Sequence, residues 1–455
     1  MANIQCENCH GPQDSNAHGF AGPVGEPRAS LSSDVCGSCH GEPLRHARFQ
    51  QWQLSGHANY ELAISREGSG SCSRCHTANG FLEWLPILLD DGDPATDPLD
   101  DIFFCAATNT CVGGARAGQA CTDDDECPPN WTPDETHPQT CVTCHDPHNV
   151  GTTSGNDPNV NIRISGDTPQ LIAGFQATNV GRGAMCMTCH NSRRGLRNDT
   201  VWDAFSTSEK TRAPHGSAQA DVLMGHNAYL VNIPSPGGHA TNPDTCVDCH
   251  MKATPPPDVL SYNSGGANHT FYAELTICSE CHSPFLLASD VQNGVQHLMD
   301  QVEEFIIDRY FEILGDEIAA GNSINFDGDI TVTDIADVTA MVFTESRGRQ
   351  ALGVTVGVDE YGPYSLTAID VVGATTVTLA DVTDDDTLKA GWNWNLIHND
   401  GSVGIHNPFF ASGILIAARD ALVAQLSGAK VGPSSIDRPQ GKFGLRPGLP
   451  EQRKR

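Results

Sequence analysis

The pentapeptide Cys-x-x-Cys-His occurs seven times in this chain of 455 residues, at positions 6–10, 36–40, 72–76, 141–145, 186–190, 246–250 and 278–282. This spacing is typical of covalent c-type haem attachment, in which two thiols bond to the porphyrin and the adjacent histidine binds one axial position of the iron. Structural zinc is the alternative. Zinc sites would pair two Cys-x-x-Cys units around one ion, and they do not explain a histidine after every second cysteine.

The sequence therefore predicts seven haems c. The thioether bonds would be formed by Cys6, Cys9, Cys36, Cys39, Cys72, Cys75, Cys141, Cys144, Cys186, Cys189, Cys246, Cys249, Cys278 and Cys281. The proximal iron ligands would be His10, His40, His76, His145, His190, His250 and His282. Because 19 histidines are present and seven belong to the motifs, 12 remain, more than enough to give every iron a second histidine. Bis-histidine ligation gives a lower reduction potential than Met/His ligation.

Four cysteines lie outside the motifs, and all four fall within one segment at about residues 100–130: Cys105, Cys111, Cys121 and Cys127. Haem attachment of this kind takes place outside the cytoplasm, where an even number of remaining cysteines predicts two disulfides. Three connectivities are open. We expect an extracellular or cell-surface protein, with the periplasm as the less favoured location.

No signal peptide is recognisable at the N-terminus, so we expect that it has been removed. No apolar run is long enough for a transmembrane segment. The net charge of −30 argues against nucleic acid and anionic membranes as partners.

Only 38% of the residues are hydrophobic, so we expect the haems to provide much of the core. The predicted fold is that of a multihaem cytochrome c, mostly coil and turns with short helices wrapped around seven haems. Residues 1–284 would form the haem-binding domain. Residues 285–455 would add a helix over 290–318, a small β insert over 353–380, a helix over 410–426 that follows His406, and an extended tail over 427–455.

An acidic segment within this C-terminal region, Asn325-Phe-Asp327-Gly-Asp329, partly matches a calcium loop. Its first position is Ser323 and its last is Asp334, whereas the pattern prefers Asp and Glu. A solvated acidic turn is the alternative to calcium.

The motifs and several histidine contexts resemble the large multihaem cytochromes of metal-respiring microbes, particularly the extracellular cytochromes that polymerise into filaments. The resemblance covers residues 1–284 and returns at 392–417 through Asn393-Trp-Asn395 and His406-Asn-Pro408. It implies distal ligands at His57, His148, His215, His269 and His406, to which position adds His18 and His239. We interpret His46, His137, His226, His297 and His398 as surface or propionate-bonding histidines.

This family resemblance implies electron transfer along stacked haems, with His18 as a ligand to a haem of a neighbouring subunit. The partners would be further copies of the chain, outer-membrane electron donors and extracellular acceptors. His-Asn-Pro after a long helix also resembles the multihaem nitrite, hydroxylamine and tetrathionate reductases, which keep one haem open for substrate. A Cys-x-x-Cys-Lys variant, typical of the nitrite reductases, does not occur. The reductase and a monomeric surface electron shuttle remain the alternatives to a filament.

Overall fold

The computed structural model describes Cys9 and residues 31–42, 47–89, 102–148, 161–252, 267–273, 275–283 and 287–426. Of the first Cys-x-x-Cys-His motif, only Cys9 is described. His18, His46 and the tail over 427–455 also lie outside the described residues. The chain divides into two compact units. Unit 1 comprises residues 1–170, 176–189 and 242–282, and unit 2 comprises residues 171–175, 190–241 and 283–455.

The helices are mostly short. They are α1 (Asp34–His40), α2 (Arg48–Gln53), α3 (Tyr60–Arg66), α4 (Gly70–His76), α5 (Ala78–Leu89), α6 (Cys141–Cys144), α7 (Gly183–Cys189), α8 (Thr207–Lys210), α9 (Gln219–Met224), α10 (Cys246–His250), α11 (Ala288–Ala319), α12 (Leu379–Val382), α13 (Asp385–Asp400) and α14 (Pro408–Gln425). Short 3₁₀ turns supplement them at Gly56–Ala58, Asp124–Glu126, Pro133–Glu135, Trp202–Ala204, Gly238–Thr241, Leu275–Glu280, Ile335–Asp337 and Leu366–Ala368. Among the described residues, no helix is long and apolar enough to span a membrane.

The strands form three antiparallel sheets. They are β1 (Phe104–Cys105), β2 (Cys111–Val112), β3 (Ser323–Phe326), β4 (Ile330–Val332), β5 (Val338–Ser346), β6 (Arg349–Val356), β7 (Asp359–Ser365), β8 (Ile369–Val372) and β9 (Thr376–Thr378). The sheet orders are β1-β2, β4-β3-β8-β9 and β5-β6-β7. The β region of unit 2 thus begins about 30 residues earlier than the sequence indicated, because its first strands are too short to show a clear alternation.

Two interleaved disulfides hold together the segment from Cys105 to Cys127 of unit 1, called the insertion below. Cys105 bonds to Cys121, and Cys111 bonds to Cys127, each across 16 positions of sequence. The two loops overlap instead of forming separate small rings. The stapling is physically reasonable because this acidic segment has few apolar side chains with which to build a core.

Unit 2 contains a hydrophobic core of its own. Helix α11 packs against α13, α14 and strand β5, and buried side chains such as Trp392, Tyr310 and Phe311 fill the space between them. The low overall hydrophobic content predicts that the haems provide much of the core. This expectation does not hold for unit 2, because its apolar residues are concentrated in one part of the chain.

Helix α13 was not predicted from the sequence. Its Asn393 amide fixes the loop around Tyr229 by accepting from the Tyr229 backbone N–H at 2.9 Å and donating to the Tyr229 carbonyl at 2.8 Å. Trp392 likewise donates from Nε1 to the Asn227 carbonyl at 2.7 Å. The polar residues of this helix are therefore buried and bonded, which masks the amphipathic pattern on which sequence analysis depends.

The segment considered for calcium forms the turn of the β3–β4 hairpin, with Phe326 opposite Ile330. Asn325 accepts from the Gly328 backbone N–H at 2.8 Å, and Asp329 accepts from the Tyr364 hydroxyl. Its oxygens thus already stabilise a turn, and the calcium hypothesis gains no support from this arrangement.

Candidate haem-binding site

The six described Cys-x-x-Cys-His motifs lie on or directly after single helical turns. Helices α1, α4 and α10 contain whole motifs, and α6 and α7 end at the second cysteine. In the seventh motif the backbone N–H of His282 bonds to the carbonyl of Cys278 at 2.8 Å. Residues three and four positions apart share one side of a helix. Both thiols and the imidazole of each motif are therefore placed on one side of the backbone, as attachment to a single porphyrin requires.

The cysteines fall into two structural classes. Those of the insertion form the two disulfides, whereas the motif cysteines in the described part of the chain form none. Zinc knuckles would bring the thiols of two motifs together as a tetrahedral set. No such set of motif cysteines occurs among the described residues.

Motifs that are distant in sequence lie beside one another in unit 1. A hydrogen bond between the thiols of Cys36 and Cys141 raises the pKa of Cys36. In the same way a hydrogen bond to Cys246 raises the pKa of half-buried Cys186, with a further electrostatic contribution from Cys144. These contacts join the second motif to the fourth, the fourth to the fifth and the fifth to the sixth.

Similar contacts extend this set of neighbouring motifs to the seventh motif and to Cys9 of the first. Burial raises the pKa of Cys249, and the nearby thiols of Cys278 and Cys281 add to this effect. At the other end Cys9 contributes to the raised pKa of Cys36. By these contributions, the neighbouring thiols run from Cys9 of the first motif through the second, fourth, fifth and sixth motifs to the seventh. The third motif joins beside the fourth, because Gln139 donates from Nε2 to the Cys75 carbonyl at 2.6 Å.

The rings of His145 and His269 lie near each other at a small interplanar angle. Their ring centroids are 6.2 Å apart and their planes differ by 27°. The two imidazoles are thus close enough that both would be able to hold one haem iron. Burial lowers the pKa of His269 to about 4 and also lowers the pKa of His145. Both rings are thus neutral near pH 7, the form that binds a metal.

The Nδ1 atoms of several predicted ligands are hydrogen-bonded to nearby groups. The partners are Gln219 Oε1 for His190 at 3.3 Å, Ser217 Oγ for His215 at 2.8 Å, the Ile405 carbonyl for His239 at 2.9 Å, the Phe271 carbonyl for His250 at 3.0 Å, and the Ala267 carbonyl for His269 at 3.1 Å. A ligating histidine commonly donates its second ring N–H in this way, which fixes the tautomer and directs Nε2 to the metal.

His406 has the strongest such partner. Its Nδ1 lies 2.5 Å from Oδ1 of Asp400, a side chain that is only 2% exposed as a residue. The following Asn407 caps helix α14 by accepting from the Phe410 backbone N–H at 3.2 Å, and Pro408 occupies the first turn. Asparagine at the cap and proline directly after it are favoured at a helix start. The His-Asn-Pro sequence therefore positions His406 just before a rigid helix.

His57 and His148 have less defined environments. The His57 ring meets the ring of Phe271 edge-on at 4.5 Å, and Phe271 in turn lies 5.9 Å from the ring of His269. His148 follows the fourth motif, and its backbone N–H bonds to Asp146 Oδ1 at 3.0 Å. Both lie in unit 1. Cys6, His10 and His18 lie outside the described residues, so the predictions for them remain untested.

The histidines that we did not assign to iron have other contacts. His226 stacks on Phe175 at 4.1 Å, and burial lowers its pKa to about 4. His398 stacks on Trp394 at 4.8 Å. His137 lies 3.4 Å from the Tyr60 hydroxyl, and exposed His297 contacts Gln301. His46 lies outside the described residues.

Sequence analysis missed the groups that orient the imidazoles. Asp400, Ser217 and Gln219 are unremarkable in sequence, and no motif singles them out. These side chains reach the ring nitrogens of the histidines only in the folded structure. A short spacing between a carboxylate and a predicted ligand, as in Asp400 and His406, is the one signal that could have suggested such a pair.

Cys-x-x-Cys-His motifs in this number, of which the described ones lie on or directly after a helical turn, are typical of the multihaem c-type cytochromes. Similarity to a known protein agrees with this class. The chain is 28% identical over 282 residues to the multiheme cytochrome MtrA of Shewanella baltica (strain OS185), which covers 55% of this chain and 68% of that protein. The outer cell wall cytochrome OcwA gives a TM-score of 0.47 at 16% sequence identity over 92% of this chain and 70% of that chain. No protein-family model matches.

Proposed function

We propose that this protein is an extracellular electron carrier, and not an enzyme, that conducts electrons through seven bis-histidine haems c. The observation that supports this best is the proximity of His145 and His269, whose ring centroids are 6.2 Å apart and would allow both to bind one iron. A closed iron of this kind leaves no coordination position for a substrate.

When bound, each haem supplies an iron that exchanges one electron. The residues of the chain hold this cofactor in place. In our assignment the motif cysteines fix each ring covalently, and the proximal and distal histidines close each iron. The Nδ1 hydrogen bonds of His190, His215, His239, His250, His269 and His406 restrict imidazole rotation. Fixed ligands keep the change in geometry between the two oxidation states small.

The haem-binding domain in this proposal spans residues 1–284, and its cofactors follow the order of the motifs in unit 1. The contacts from Cys36 to Cys141 and from Cys186 to Cys246 support a continuous series. The fourth motif lies beside the second, third and fifth, so its haem would be the junction of the series.

The haem count can be measured by intact-protein mass spectrometry under denaturing conditions. We expect the mass of the exported chain plus seven covalently bound haems. Serine variants of one motif, Cys141→Ser with Cys144→Ser, should lower the count to six. A wild-type mass that corresponds to fewer than seven haems would show that some motifs are not attachment sites.

We also propose that the chain is the subunit of a polymeric filament, with outer-membrane donors and extracellular acceptors as its partners. The proposal is supported by the family resemblance at the haem motifs and by the position of His18 after the first motif. Negative-stain electron microscopy and size-exclusion chromatography of the purified holoprotein should reveal filaments that His18→Ala shortens or abolishes. Monomers alone in the wild type would favour a surface electron shuttle.

A further inference from the structure

Two arginines of unit 2 face each other at the start of strand β6. Arg212 forms an isolated antiparallel bridge with Arg349. The bridge is held by backbone hydrogen bonds on both sides, from Gln350 N–H to the Thr211 carbonyl at 2.8 Å and from Ala213 N–H to the Gly348 carbonyl. Side chains directly opposite each other in such a pair project to the same side, about 5 Å apart at Cβ, and like charges there are destabilising.

A third guanidinium lies beside this pair. Arg194 donates from Nε to the Ala213 carbonyl at 3.1 Å. Its Nη2 packs so closely on Gly348 that a Cβ at that position would come within 2.1 Å of it. The β5–β6 turn accommodates this approach because Arg347 and Gly348 both have positive φ, at 51° and 75°, as a two-residue type I′ turn requires.

This cluster of Arg194, Arg212 and Arg349 has little compensating charge. Within the described part of the chain, none of the three forms an ion pair. Burial lowers the pKa of Arg194 to about 10, and the neighbouring positive charge of Arg212 adds to this effect. Glu345 is the acid nearby, and it accepts a hydrogen bond from the Gly348 backbone N–H.

Arginine is also scarce relative to acid in this chain, which has 26 basic and 56 acidic residues. Three neighbouring arginines that form no ion pair within the described residues are therefore unexpected in so acidic a chain. Guanidinium groups bind carboxylates through two parallel hydrogen bonds, and a desolvated group gains most from such a partner.

We propose that Arg194, Arg212 and Arg349 form a binding site for a carboxylate. Two sources have this chemistry. One is a propionate of the haem ligated by His190, which precedes Arg194 by four residues in the same unit. This source rests on the proposed function. The other source is a soluble organic carboxylate, and binding of such a ligand would not require the proposed function.

The test compares the wild-type holoprotein with Arg212→Gln/Arg349→Gln, and uses Arg419→Gln as the matched control. Arg419 is a surface arginine that pairs with Asp420. The haem content and spin state of each variant are measured first, so that a failure of haem binding is recognised separately. If the double variant does not fold, the single variant Arg212→Gln replaces it in the test. We expect the single variant to fold, because within the described residues the Arg212 side chain donates no hydrogen bond.

Citrate is then titrated calorimetrically at constant ionic strength, and the haem potentials are measured by spectroelectrochemistry. If the carboxylate is soluble, citrate binds wild type and control, and the double variant loses at least tenfold in affinity. If it is a propionate, wild type does not bind citrate, and loss of the two positive charges lowers one haem potential. A tenfold shift in its reduction equilibrium corresponds to 59 mV. The proposal is overturned if the substitutions change neither citrate affinity nor any potential.

Discussion

His406 Nδ1 and Asp400 Oδ1 lie 2.5 Å apart, and the Asp400 carboxylate also accepts hydrogen bonds from the backbone N–H and the hydroxyl of Ser402. The other predicted ligands whose Nδ1 bonds are described above bond to neutral amide, carbonyl or hydroxyl oxygens. A buried carboxylate withdraws the Nδ1 proton more strongly and makes Nε2 a more basic ligand. His406 should therefore stabilise ferric iron more than the others do.

Asp400→Asn removes this charge while it keeps the shape of the side chain. We expect the potential of one haem to rise, by a shift on the order of tenfold in its reduction equilibrium or about 59 mV, because the ferric form loses stabilisation. Spectroelectrochemical titration would resolve the change. Asp329→Asn, which affects the Tyr364 contact in the β region, is the control and should leave every potential unchanged. Identical titrations for wild type and Asp400→Asn would show that the pair does not tune an iron.

His269→Ala should leave the iron at the fourth motif with one protein ligand. We expect about one seventh of the haem to become high-spin and added imidazole to restore the low-spin spectrum, as measured by absorption and EPR spectroscopy. The matched control is His226→Ala, since His226 is also buried but stacks on Phe175. A low-spin spectrum that persists in His269→Ala without imidazole would mean that another group ligates this iron.

The sequence predicts where haems are attached, but it says little about how the attachment motifs are arranged in space. The spacing of Cys141, Cys144 and His145 predicts one haem locally, because all three groups lie within five residues. By contrast, the approach of His269 to His145 depends on how a long intervening chain folds. The order of the motifs in space could not be predicted for the same reason, since Cys186 meets Cys246 only through tertiary packing.

The fold was predictable where apolar periodicity was strong. The helices expected at 290–318 and 410–426 correspond to Ala288–Ala319 and Pro408–Gln425. Helix α13 was missed because its buried face contains Asn393 and Asn395, which sequence analysis treats as polar surface. The disulfide pairing was also beyond reach, as four cysteines allow three connectivities.

Asn393→Ala should destabilise unit 2. It would leave the buried backbone N–H and carbonyl of Tyr229 without this partner, at a cost of about 2–4 kcal/mol in the free energy of unfolding. Urea denaturation followed by circular dichroism would measure the change. Asn399→Ala on the same helix removes one half-buried bond to the Pro214 carbonyl and should cost less than about 1 kcal/mol. Equal effects of the two substitutions would contradict the structural role assigned to Asn393.

Cys105→Ser with Cys121→Ser should loosen the insertion without disturbing the haems. Closing a loop of about 15 residues contributes about 3 kcal/mol, so proteolysis within residues 102–131 should become about a hundredfold faster. The control is Thr108→Ser, an exposed substitution in the same segment. Unchanged cleavage would mean that the Cys111–Cys127 disulfide alone holds the segment.

Conduction without catalysis requires that two histidines bind every iron. Quantitative low-temperature EPR of the fully oxidised holoprotein tests this, because low-spin and high-spin ferric haems give distinct signals that can be integrated against the protein concentration. We predict that all seven haems are low-spin and that cyanide and nitrite leave the spectrum unchanged. A high-spin signal equivalent to one haem, altered by either ligand, would contradict closed conduction and indicate a reductase site.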